Sequence, residues 1–184
     1  QFELPECKDR ECIFEYYLNK LQIKGEPKTL ALHLAKQSFG FSGADIYNVC
    51  NEASILTIRN KAELITIQYL EQALEYVLLG PKKTTFKLSE KEKRIFAYHE
   101  SCHTLLSRLL PHAKNPIKVS ILPRGKSALG FSQSERSEEK LRNKDEILDS
   151  ICVLLGGRIA EELFCGNITT GASDDIQKLT KLAY

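Results

Sequence analysis

His99-Glu100-Ser101-Cys102-His103 is the stretch whose residue types and spacing point most directly to chemistry, because it fits the pattern H-E-x-x-H. Ser89 and Glu92 form a capping-box pattern and Pro111 stands where a helix must stop, so one helix is expected from about Ser89 to Leu110. On a helix the i, i+4 spacing places both imidazoles on one face, about one turn apart. Two neutral imidazoles so placed can hold one tetrahedral Zn2+, and Glu100 beside them can take a proton from water activated by the metal. The bland alternative is an exposed helix that happens to carry two His and a Glu. With only 4 His among 184 residues, chance is a poor account of the pattern.

A catalytic zinc site has three protein ligands and an open fourth position. His33 lies far upstream of the motif, and His112 follows Pro111, where it is expected to face solvent. Glu161 and Glu162 belong to a long apolar helix expected from Asp145 to Phe164, closed by Gly166. Its stripe of Ile151, Leu155 and Ile159 is expected to face the core, which puts Glu162 near the edge. A carboxylate entering a core there needs a partner, such as a metal-bound His ring or Arg158. Asp174 and Asp175 open a last helix capped by Ser173, where acidic side chains also offset the helix dipole without binding anything. Spacing alone does not choose among these four carboxylates.

The elements that must position these residues read mainly as helices. Lys8 to Leu21 carries Ile13, Tyr17 and Leu21 at helical spacing, and a short helix is expected from about Thr29 to Gln37. Ser42 and Asp45 form another capping-box pattern, starting a helix to about Asn60 with Ile46, Val49, Ala53 and Leu56 on one face. A fourth helix after Thr66 shows Leu70, Ala73, Leu74 and Val77 before Gly80-Pro81 stops it. Gly80 to Lys83 is therefore the expected domain boundary. Beyond the H-E-x-x-H helix, Lys118 to Leu122 and Ala128 to Ser132 alternate like strands around a turn at Pro123 to Lys126, and residues 133 to 145 read as a polar surface loop. The expected fold class is α+β, mainly α with a small sheet.

Composition narrows the function classes. The net charge of +2, with basic and acidic residues interspersed, makes no case for a nucleic-acid partner. No apolar run reaches the roughly 18 residues that cross a bilayer. The N-terminus, Gln1-Phe2-Glu3-Leu4-Pro5, lacks a signal-peptide pattern, and the chain contains no Met, as expected of a piece of a longer polypeptide. Six cysteines (Cys7, Cys12, Cys50, Cys102, Cys152, Cys165) form no C-x-x-C pair and are expected to be buried free thiols in a reducing compartment.

Several segments together resemble the membrane-anchored AAA proteases, the FtsH family with its M41 metallopeptidase domain. In order they are Gly40-Phe41-Ser42-Gly43-Ala44-Asp45, Asn51-Glu52-Ala53, Ala97-Tyr98-His99-Glu100, Lys118 to Gly125, Gly156-Gly157-Arg158 with Glu161-Glu162, and Thr169 to Asp175. Asn48 to Ala53, the aspartate pair and Ala183-Tyr184 look most like the mitochondrial m-AAA, paraplegin-type branch. The resemblance implies Asp175 as third zinc ligand with His99 and His103, Glu100 as general base, and Glu161 or Glu162 as acceptor for a ligand histidine. It implies that Ala128, Leu129, Gly130, Phe131 and Ser132 form an edge strand onto which the substrate backbone is laid. Residues 1–26 would end the large AAA+ subdomain, 27–80 would form the helical lid, 81–88 a linker and 89–184 the zinc peptidase domain.

In the lid, Gly40, Ser42, Gly43 and Ala44 would approach the adenine of a nucleotide. The chain has no G-x-x-x-x-G-K-[ST] to cradle phosphates, so ATP and Mg2+ belong to the intact protein only. The implied assembly is a homo- or hetero-hexamer that degrades unfolded or membrane proteins. Its anchor would lie outside this chain, in the mitochondrial inner membrane facing the matrix, or alternatively in a plastid or bacterial inner membrane. The family usually reads His-Glu-Ala-Gly-His, whereas Ser101 and Cys102 stand here. Glycine inside a helix often admits a close neighbour, so Cys102 raises the alternative of a weakened or silent subunit in a mixed ring.

Overall fold

The structure is a computed structural model and describes residues 3–81, 88–121, 131–134 and 141–183. It divides into two compact units, residues 1–81 and 82–184.

The first unit is four helices: α1 (Cys7–Leu18), α2 (Pro27–Gln37), α3 (Gly43–Arg59) and α4 (Ile67–Leu79). Pro27 opens α2, where its missing N–H and fixed φ cost nothing. Ser42 caps α3, taking the Asp45 N–H at 3.3 Å while the Asp45 carboxylate takes the Ser42 N–H at 2.8 Å. The core joins Phe14 and Leu18 of α1 to Leu34 of α2, Ile46 and Val49 of α3, and Leu70 and Leu74 of α4. On α1 the packing face is one residue further round than the periodicity suggests: Phe14 and Leu18 are buried, while Ile13, Tyr17 and Leu21 are only partly covered. Arg10 explains the rotation. Its guanidinium is buried and donates to the Pro5 carbonyl at 2.9 Å and to the Ala35 carbonyl at 3.1 and 3.3 Å. The Ala35 carbonyl belongs to the last turn of α2, where acceptors lack helical partners and the dipole favours a cation. The first 26 residues are thus pinned into the same core as the helices that follow.

The second unit contains α5 (Glu90–Leu109), β1 (Pro116–Ser120), β2 (Phe131–Ser134), α6 (Lys144–Cys165), a 3-10 turn (Thr170–Ala172) and α7 (Ser173–Ala183). Ser89 caps α5 in the expected box, taking the Glu92 N–H at 3.2 Å. Asn143 caps α6, and Gly166 ends it at φ 71, a left-handed turn that suits glycine. The last helix starts differently from expectation: Thr169 caps the 3-10 turn, and Ser173 is already inside α7. The strands pair antiparallel, with Ser120 opposite Phe131 and Val119 opposite Ser132, but both lie off the expected positions. β1 begins two residues early at Pro116, and β2 extends to Ser134, into the stretch read as loop. Of the expected substrate strand, Ala128, Leu129 and Gly130 lie outside the described residues.

α5 packs on α6 through small residues, and this corrects the expected face of α6. The buried positions are Gly156, Gly157, Ala160 and Glu161, whereas Ile159 of the apolar stripe is 46% exposed. The face was selected by how closely a neighbour can approach, not by hydrophobicity. The cysteines are also corrected. None of the six forms a disulfide, but Cys50 alone is buried, its thiol pushed up to about 12 by that burial, while Cys12 and Cys152 sit on outer helix faces. Among the described residues, no helix is long and apolar enough to cross a membrane.

If α1 belongs to the first unit's core, Phe14→Ala should destabilise that unit by about 3–5 kcal/mol. Chemical denaturation would read this. A loss below 1 kcal/mol would mean that the first 26 residues are only loosely attached.

Candidate metal centre

His99 and His103 stand one turn apart on α5, with ring centroids 4.6 Å apart, and both are buried. A buried imidazole needs partners for both nitrogens, and each ring has one fixed outside the cluster. The Nδ1–H of His103 donates to the Val153 carbonyl of α6 at 2.7 Å, since a carbonyl can only accept. The Nδ1–H of His99 donates to Glu161 Oε1 at 2.8 Å. Glu161 has no exposed surface, and its other oxygen accepts the Thr169 N–H at 2.6 Å. In the neutral rings both Nε2 atoms therefore carry lone pairs.

Those lone pairs converge. His99 Nε2 lies 3.0 Å from His103 Nε2 and 3.0 Å from Asp175 Oδ2, and His103 Nε2 lies 3.3 Å from the same oxygen. Three acceptor atoms so close repel one another unless a cation lies among them. Zinc bonded at about 2.0–2.1 Å in a tetrahedron holds its ligand atoms about 3.3 Å apart, and two imidazole nitrogens with one carboxylate oxygen form a fitting donor set. His99, His103 and Asp175 are also the group of potential ligands that stands together among the described residues.

Without a metal, the cluster satisfies itself with protons. Burial pulls the His99 pKa down, but its bonds to Asp175 and Glu161 outweigh this and raise it. Burial would raise Asp175, yet the bonds from His103 and His99 hold its carboxyl well below the usual range. Glu100, buried beside His99, is raised because desolvation prevails over the charges of His103 and His99.

The other candidates fall away from this point. Asp174 is exposed and pairs with Lys178. Glu162 is exposed, because the rotated face of α6 turns Glu161 inward instead. His112 is exposed, and its backbone N–H donates to Asp149. His33 belongs to the first unit, where it meets Glu71 at 2.9 Å and Gln37 at 2.8 Å. Cys102 is not in the cluster. Its Sγ lies 3.4 Å from where a Cβ on Gly156 would stand, so the thiol is accommodated against a glycine of α6. Sequence reasoning did not mention Val153, and it gave no role to Gly156, Gly157 or Thr169, although these three lie in segments that carry the family resemblance. A backbone carbonyl and a backbone N–H leave no mark in residue type, but two adjacent glycines within an apolar helix do signal a close approach.

Residues 86–184 match the profile of peptidase family M41, more than half of the chain, and the chain belongs to that family. Residues 32–72 match the AAA+ lid domain. Curated relatives include "ATP-dependent zinc metalloprotease FTSH 3, mitochondrial" of Oryza sativa subsp. japonica, 44% identical over 98% of this chain and 22% of its own length. They also include "Mitochondrial inner membrane m-AAA protease component AFG3L2" of Mus musculus, 44% identical over 98% of this chain and 23% of its own length. A bacterial relative, "ATP-dependent zinc metalloprotease FtsH" of Endomicrobium trichonymphae, is 42% identical over 97% of this chain and 28% of its own length. The chain thus spans about a quarter of the length of the relatives it matches.

The pKa shifts predict a pH effect in metal-free protein. A raised His99 pKa means the fold holds that proton more tightly than the unfolded chain, whose value is near 6.5. That stabilisation is complete below 6.5 and is lost as pH rises through the higher folded value. Asp175 works oppositely: its contribution is present above 3.8 and is lost as the medium becomes more acid. In chelator, the melting temperature should fall as pH rises above 6.5, and more for the native chain than for His99→Gln. Parallel pH profiles would show that His99 is not the titrating group.

Proposed function

We propose that this chain carries the peptidase part, and a stretch of the ATPase lid, of a membrane-anchored ATP-dependent zinc metalloendopeptidase. The observation that carries this reading is the convergence of His99 Nε2, His103 Nε2 and Asp175 Oδ2 on one buried point. These three residues would hold Zn2+. When bound, the ion would polarise a peptide carbonyl and lower the pKa of water towards about 7. Glu100 takes the proton of the attacking water and returns it to the leaving amine. Glu161 and the Val153 carbonyl hold the two rings in the tautomer that turns Nε2 inward.

The substrate is an unfolded polypeptide laid along β2 at Phe131 and Ser132, the described part of the segment 128–132 expected to receive it. Strand addition recognises main-chain groups, so it suits an enzyme that degrades many sequences. Residues 27–80 act as a lid, with Gly40, Ser42, Gly43 and Ala44 towards the adenine of ATP. The phosphates and Mg2+ are held by other parts of the intact protein. The intact protein is a homo- or hetero-hexamer anchored in the mitochondrial inner membrane with this part facing the matrix; the name of the mouse relative, a component of a mitochondrial inner-membrane protease, supports the membrane and an assembly of several chains. A bacterial inner membrane is the alternative that the FtsH relative supports. Membrane-protein quality control is the role consistent with such a protease. The packing of Cys102 against Gly156, away from the converging atoms, favours an active enzyme over a silent subunit.

In the intact protein, Glu100→Gln should lower casein cleavage by about 10²–10⁴-fold while one zinc per chain is retained. Chelation should abolish cleavage and zinc should restore it, and Cys102→Gly should leave it unchanged. Full activity in Glu100→Gln would remove Glu100 from its role, and a large gain in Cys102→Gly would favour the silent subunit.

A further inference from the structure

A glycine inside a helix costs about 1 kcal/mol relative to alanine, so two in succession need a reason. Gly156 and Gly157 stand in the middle of α6, both buried, and both meet side chains of α5. Their surroundings differ in kind. A Cβ on Gly156 would meet Leu106 Cδ1 at 2.5 Å and Cys102 Sγ at 3.4 Å, side-chain ends that can turn aside. A Cβ on Gly157 would stand 2.4 Å from both Cε1 and Nε2 of His99 and 2.6 Å from His103 Nε2, against the two rings whose Nε2 atoms converge with Asp175.

We propose that Gly157 is a positioning residue of the ion site, because its lack of a side chain keeps the space in front of both Nε2 atoms open. Zinc bonds such nitrogens at about 2.0–2.1 Å, so a methyl carbon at 157 would compete with the ion for one place. The rings are not free to turn away. Each is tied at Nδ1, His99 to Glu161 and His103 to the Val153 carbonyl, so escape from a methyl group breaks one of those bonds and turns an Nε2 off target. Gly156 and Gly157 therefore divide the work: the first admits the body of α5, and the second keeps the ion's place. The inference rests on the zinc reading above.

The test compares the full native chain with Gly157→Ala and Gly156→Ala, measuring Zn2+ affinity by competition with a chromophoric chelator and helicity by circular dichroism. Gly157→Ala should weaken zinc binding about 100-fold or more with helicity retained, whereas Gly156→Ala should bind within a few-fold of the native chain. Native-like binding by Gly157→Ala overturns the inference, and so does an equal loss in both variants, which would mean that only helix separation matters. A native chain that binds no zinc overturns the zinc reading itself, and this inference with it. Should Gly157→Ala fail to fold, the same change in a His99→Ala/His103→Ala background should fold, because the clash is with the rings. Failure there too would place the clash elsewhere and overturn the inference.

Discussion

A fully buried carboxylate must be paired, and the second unit depends on how Glu161 meets that requirement. One oxygen accepts from His99 on α5, and the other accepts from the backbone N–H of Thr169, just before the turn that leads to Asp175. A single side chain on α6 therefore ties together the helix that bears the imidazoles and the segment that bears the third acceptor. Losing it would leave the buried His99 donor without a partner, at about 1–3 kcal/mol, and would free the part-buried Thr169 N–H as well. The buried centre of this unit is accordingly polar: His99, Glu100, His103 and Ser107 sit with Glu161, and the buried apolar residues beside them are Leu88, Ala160 and Ala172. Such a network has a defined geometry or none, since a partly satisfied one costs more than an apolar core.

That network forms only if α5 and α6 come close, and the small residues of α6 permit it. Gly156, Gly157 and Ala160 form the packing face, while larger apolar neighbours such as Ile159 and Leu163 remain exposed. Helix propensity and hydrophobicity both argue against that choice of face. Hydrogen bonding decides for it, because only this rotation brings Glu161 and the Val153 carbonyl to the two Nδ1 atoms. Cys102 fits the same contact from the other side. Where the family has glycine on α5, the glycine at 156 on α6 leaves space for a thiol.

The first unit is built on the opposite principle. Its core is apolar and continuous across four helices, and the buried guanidinium of Arg10 is placed where the end of α2 supplies free carbonyls. It carries a match to the AAA+ lid domain, and the second unit carries the peptidase family match. One unit gains rigidity from area buried, the other from polar groups satisfied.

The amino-acid sequence by itself determined the local features. The H-E-x-x-H spacing, the capping boxes at Ser42 and Ser89 and Gly166 closing α6 are short-range patterns, and each is governed by residues within one or two turns. Only the tertiary structure decided which face of α6 is buried and that Glu161 and not Glu162 turns inward, and it brings Asp175, which residue spacing left open and the family resemblance implied, to the imidazoles. Those choices are made by contacts 62 and 76 residues apart in the chain. They rest on how near two helices can approach and on which buried donors must find acceptors. Neither condition is written in the spacing of residues along one helix.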